Sequence, residues 1–108
     1  DLHSFPTRRS SDLEIAIDDI KSTAAYIENE LKNPQAAARF KQRILYSVSL
    51  LKDNPDMGNY LSNKYDSVES DYQYIIVNKQ IVFYEITDNT VEVIRVLDGR
   101  TDYLTHLL

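Results

Sequence analysis

The sequence predicts an α+β fold, an N-terminal helix hairpin packed on a small antiparallel β-meander. Three observations predict it. Apolar residues recur at helical spacing from Ile15 to about Asp53, the period changes to that of strands after a loop rich in turn formers, and short breaks separate the three apolar runs that follow. A length of 108 residues and a mass of 12.5 kDa suit one domain, because two separate cores would each be too small to stand alone. No internal repeat or low-complexity linker marks a second domain.

In the first helix Ile20, Ala24, Ile27 and Leu31 step by four, three and four and form one stripe, while Lys21, Glu28 and Lys32 face outward. Asn33-Pro34 ends it and starts a second helix. The residue before proline is pushed out of the helical region, asparagine caps, and proline suits a first helical position. The second helix runs to about Asp53 with Ala37, Phe40, Ile44, Val48 and Leu51 on its buried side and Arg39, Lys41, Arg43 and Lys52 exposed. Asn54-Pro55 closes it, and so short a connection predicts an antiparallel pair. The loop after it carries Pro55, Gly58, Asn59, Ser62 and Asn63. Strands are predicted at 72–77, 80–86 and 91–97 from their branched and aromatic residues, joined by hairpins at Asn78-Lys79 and Asp88-Asn89.

These strands are apolar on both sides. Strict alternation sends Ile81 and Phe83 one way and Val82, Tyr84 and Ile86 the other, and sets Val91, Val93 and Leu97 against Ile94 and Val96. Two apolar faces need two covers. The helix hairpin supplies one. Either the tail Tyr103 to Leu108 covers only part of the second, leaving apolar surface for a partner, or the tail and the loop 56–71 together suffice.

Composition excludes several classes of function. No run approaches the roughly 20 apolar residues of a membrane span. With no cysteine there is no disulfide scaffold, thiolate nucleophile or sulfur-bound zinc, and the cytoplasm is the expected compartment. The net charge is -5, and the acidity is concentrated in residues 56–108, where nine acids face only Lys64, Lys79, Arg95 and Arg100. Residues 1–13, DLHSFPTRRSSDL, have neither apolar period and are expected to form neither helix nor strand. They resemble the translation of sequencing-adapter read-through, in which case they replace a native start; the other reading is a loose native arm. The domain is therefore placed at 14–108.

Chemistry-bearing motifs are sparse. There is no glycine-rich phosphate loop, no ligand-spaced histidine pair and no nucleophile elbow, and no cofactor or metal is implied. His106, in the tail, reads as a surface or packing residue. The segment Ile94 to Tyr103 places Arg95 in a strand and Arg100, Asp102 and Tyr103 after a glycine turn. Two guanidiniums and a phenol gathered there could hold a phosphodiester and stabilise charge on a scissile phosphate. By residue types the favoured reading is instead that Arg95 pairs with Glu85 and Arg100 with Asp98 or Asp102, which would leave the cluster structural.

Several strings resemble the RelE/ParE superfamily of toxins from type II toxin-antitoxin systems. They are Ala16, Asp19 and Ile20; Tyr26-Ile27; Asn33-Pro34 with Ala36 to Phe40; Pro55 with Gly58; Val82-Phe83-Tyr84; and the run from Val93 to Tyr103. The resemblance covers about residues 14–108. It implies a bacterial, cytoplasmic toxin, of the kind linked to plasmid stabilisation, held silent by a cognate antitoxin. It also implies a first strand ahead of the helix hairpin, where the adapter-like arm now stands. Relatives divide between ribosome-dependent, metal-independent mRNA interferases and inhibitors of DNA gyrase. By position, Arg100 and Tyr103, with Arg95 nearby, match the arginine and tyrosine region of the nucleases, so RNA cleavage is the first expectation. Gyrase inhibition, or a degenerate domain that only binds antitoxin, is the alternative. The strand ending in Tyr84 lacks the arginine many nucleases carry there, reading Gln80-Ile81-Val82-Phe83.

Overall fold

The computed structural model describes residues 10–107, with side chains from Ile15 onward. The expected replaced first strand thus falls mostly outside the described residues. Helix α1 spans Ser10–Asn29 and α2 spans Pro34–Asp53. A 3-10 turn at Pro55–Met57 leads to β1 (Asn59–Tyr60) and the single-turn α3 (Leu61–Lys64). Then come β2 (Gln73–Val77), β3 (Gln80–Thr87), β4 (Thr90–Asp98) and α4 (Tyr103–Leu107). The sheet is antiparallel throughout with order β1-β2-β3-β4.

The helix starts earlier than its sequence pattern. Ser10–Leu13, expected to be irregular, form the first turn of α1, since a helix anchored by buried Ala16, Ile17 and Ile20 extends cheaply by whole residues. It also stops sooner: Leu31 lies beyond Asn29 and is 58% exposed, so it leaves the expected stripe. Lys32 turns into the left-handed region and Asn33 caps α2, its side-chain oxygen accepting the Ala36 N–H at 3.0 Å. Asn78, Asp88 and Asn89 take positive φ at the two hairpin turns, as short hairpins require.

One irregularity resets the sheet's faces. Phe83 stands opposite Arg95 and Tyr84 opposite Val93, so Ile94 is an extra residue in β4. Val93 and Val96 therefore both join Val82 against Ala16, Ile17, Ile20, Ile44 and Val48 on the helix side. Ile94 and Leu97 instead join Ile81 and Phe83 on the other side. Strict alternation had divided these residues differently, and the bulge is the reason it fails. Leu51, Tyr84 and Val91 form a third group under the end of α2.

The far face is not bare. Leu61, Val68 and half-buried Tyr65, Tyr72 and Tyr74 pack on it together with Tyr103, Leu104 and Leu107. Ile81, Val82, Phe83, Val93 and Val96 are all buried. Of the two alternatives the sequence left open, partial cover by the tail is corrected and cover by the tail and loop together holds for β3 and β4, because the loop folds back as β1 and α3. Exposed apolar side chains lie instead at the β1-β2 margin, on Met57, Tyr60 and Ile76, and along the helices on Tyr26 and Tyr46.

Candidate functional site

Arg95 sits in β4, an outer strand of the sheet, with α1 alongside. Its Nε donates to one oxygen of Asp19 and an Nη to the other, both at 2.8 Å, and the Val96 N–H donates to the same carboxylate at 2.9 Å. A planar fork meeting a carboxylate in this way is the strong form of ion pair. The hydrogen bond to Asp19 raises the Arg95 pKa further. The pair is largely shielded, with side-chain exposures of 21% and 12%. Arg95 therefore pairs across to the first helix, and not with Glu85 as the sequence suggested. The second Nη reaches the His106 carbonyl at 3.4 Å, and the His106 residue itself is exposed.

Arg100 closes a local loop. Its backbone N–H, Nε and Nη donate to Asp98 at 2.8, 3.0 and 2.7 Å. The guanidinium holds the Asp98 carboxyl down at about 2, below its ordinary value of 3.8. The Arg100 side chain is nonetheless 74% exposed.

Tyr103 lies on the far face, 7% exposed, with its ring 5.3 Å from that of Phe83. Its hydroxyl shares a hydrogen bond with the Tyr65 hydroxyl at 2.5 Å. The Lys64 ammonium stands 5.6 Å from the Tyr65 and Tyr74 ring centroids and 5.9 Å from that of Tyr103, within cation-π range. The neighbouring Tyr103 hydroxyl is the main cause that raises the Lys64 pKa, and the hydrogen bond to Tyr103 raises that of Tyr65. Lys64 is charged at neutral pH, beside two linked phenols.

The three residues singled out by sequence thus have three different partners: Asp19, Asp98 and Tyr65. Sequence reasoning missed Lys64, Tyr65 and Tyr74, whose grouping depends on how the 61–74 segment folds over the sheet. It noted Asp19 only as part of a motif. Among the described residues no group of three or more acidic or histidine side chains could hold a metal ion, and no helix is long and apolar enough to cross a membrane.

A helix hairpin on an antiparallel meander, closed by an arginine pinned to the first helix and a tyrosine-rich far face, places the chain among small α+β proteins of the RelE/ParE kind. The family model described as "ParE toxin of type II toxin-antitoxin system, parDE" matches residues 14–103. The chain belongs to this family, and so is a type II toxin with an antitoxin as its partner. A search of the curated proteins finds no match.

Proposed function

We propose that this toxin, with residues 14–108 as its working domain, inhibits growth in a bacterial cytoplasm by binding a protein target of the DNA-gyrase kind. This reverses the order in which the sequence ranked the alternatives. The observation that carries the reading is that both candidate arginines already hold a carboxylate, Arg95 that of Asp19 and Arg100 that of Asp98. A guanidinium committed to a carboxylate has little left for charge developing on a scissile phosphate. Binding to a protein needs no such constellation, and exposed Met57, Tyr60 and Ile76 give it apolar anchors. The net charge of -5 also opposes approach to a polyanionic ribosome.

RNA cleavage is the second reading, favoured by one cluster. Lys64 could neutralise a phosphate while the Tyr65-Tyr103 pair moves a proton. A supercoiling assay with purified gyrase and primer extension on ribosome-bound message separate the two. Blocked supercoiling with intact message is expected. Message cleavage that Lys64→Ala and Tyr103→Phe abolish, with supercoiling untouched, would replace the first reading by the second.

A further inference from the structure

A half-open groove of about 710 Å³ lies between the tip of the helix hairpin and the turn end of the sheet. Sites for small organic ligands run to roughly 300–1,000 Å³. The groove shares no side chain with the Lys64 cluster or with the Asp19 clamp. Ile27, Phe40 and Val77 give it an apolar lining, and Tyr26 stands at it 56% exposed.

Its charge is opposite to that of the molecule. Arg39 and Arg43, one turn apart on α2, line it together with Lys79 from the β2-β3 turn and Arg100 from the end of β4. The one acid among the lining residues is Asp98, and Arg100 holds it. Arg39, Arg43 and Lys79 have no carboxylate partner among the described residues. Three cations without a bonded carboxylate on one concave surface of a chain with net charge -5 attract an anion, with Lys79 partly offset by nearby Asp98.

A second, independent feature points the same way. Gln80 lines the groove and is only 8% exposed, and its side-chain Oε1 is the single buried side-chain polar atom without a hydrogen-bond partner among the described residues. Such an acceptor costs free energy until a donor reaches it. The last torsion of an amide side chain is broad, so a turn about it is the movement that would present the Gln80 oxygen to a ligand's edge.

We propose that this groove binds a nucleoside monophosphate. The phosphate is held by Arg39, Arg43 and Lys79, whose donors match its oxygens. The base lies along Phe40 and Tyr26, where a planar ring covers the apolar lining and stacks. An N–H on the base's edge meets the Gln80 oxygen. A bare inorganic anion would satisfy the cations but leave the lining wet and the Gln80 acceptor unpaired. An uncharged nucleoside would do the reverse.

Calorimetric titration of the full chain with the four common ribonucleoside monophosphates tests this, with inorganic phosphate, adenosine and an oligoglutamate peptide as separate arms. At least one monophosphate should bind roughly tenfold or more tighter than either phosphate or adenosine, since each lacks one half of the contacts. Arg39→Ala with Arg43→Ala should weaken binding by about tenfold or more, while Lys41→Ala, exposed on the same helix but outside the groove, leaves it unchanged. Gln80→Leu should alter the ranking of the bases; circular dichroism checks that each variant is folded. The proposal is overturned if no monophosphate binds, if phosphate or the acidic peptide binds as tightly as the best nucleotide, or if the double arginine variant binds as well as the parent. Because the readout uses neither gyrase nor message, it stands or falls separately from the proposed target.

Discussion

At the scale of single residues, two side chains do more than their sequence positions advertise. Asp19 accepts from Arg95 twice and from the Val96 N–H, so it joins α1 to an outer strand and satisfies a backbone group there. Removing one partner of a shielded pair leaves the other charge without compensation. Asp19→Ala is expected to lower the free energy of unfolding by about 3 kcal/mol in urea titrations. A change of under about 1 kcal/mol would reduce the clamp to an ordinary surface pair. Tyr84 is the second. Its buried hydroxyl donates to the Pro55 carbonyl at 2.9 Å and accepts the Gly58 N–H at 3.1 Å, and burial is the main cause that raises its pKa. The three residues, far apart in sequence, are thus joined by one hydroxyl. Tyr84→Phe should cost about 2 kcal/mol, because two polar groups lose their partner. At Gly58 an added Cβ would meet the Tyr84 hydroxyl and lie 2.7 Å from the Tyr74 carbonyl oxygen, so Gly58→Ala must displace the ring or the strand.

Asp98 supplies a pH signature at the same scale. Its folded-state pKa, about 2, lies below the ordinary 3.8. Between these values the unfolded chain binds the proton first, so stability is present above 3.8 and is lost as the pH falls towards 2. Asp98→Asn should flatten that part of the stability profile, and added salt should shrink the difference because Arg100 is exposed. An unchanged slope between parent and variant would show that the pair does not persist in solution.

At the scale of elements, the bulge at Ile94 and the small helix α4 act together. The bulge turns Ile94 to the far face and α4 covers it there with Tyr103, Leu104 and Leu107. Cutting the chain after Asp102 uncovers Phe83, Ile81 and Ile94 at once. The truncated protein should lose about 3 kcal/mol or more, the range for emptying a core site of a large side chain, and bind an apolar dye that the full chain does not. Unaltered denaturation would mean the tail lies on the sheet without stabilising it. The Asn33 cap is a smaller device: Asn33→Ala should cost about 1 kcal/mol.

For the molecule as a whole, the buried stretches of β3 and β4 are covered on both sides by the chain itself, and a core that forms without antitoxin is the expected outcome. Unfolding followed by far-ultraviolet dichroism and by tyrosine fluorescence should give coincident cooperative transitions without antitoxin present. Separated transitions would indicate a partly molten chain that its partner must finish. Exposed Met57, Tyr60 and Ile76 are part of the apolar surface available to other proteins, together with side chains on the helices such as Tyr26 and Tyr46.

The sequence alone determined the two helices, their capped junction, the three long strands and their hairpin turns, because each rests on a local signal: a period, a proline after asparagine, a residue pair fit for positive φ. It also supplied Arg95, Arg100 and Tyr103 as polar residues close together along the chain. What those residues hold was decided only by tertiary structure. Asp19 lies 76 positions from Arg95, and Tyr65 lies 38 from Tyr103, so no local pattern links them. The same holds for the bulge, where one extra residue reverses the faces of those beyond it, since its position is set by packing against α1 and α2 and not by any preference of Ile94 itself.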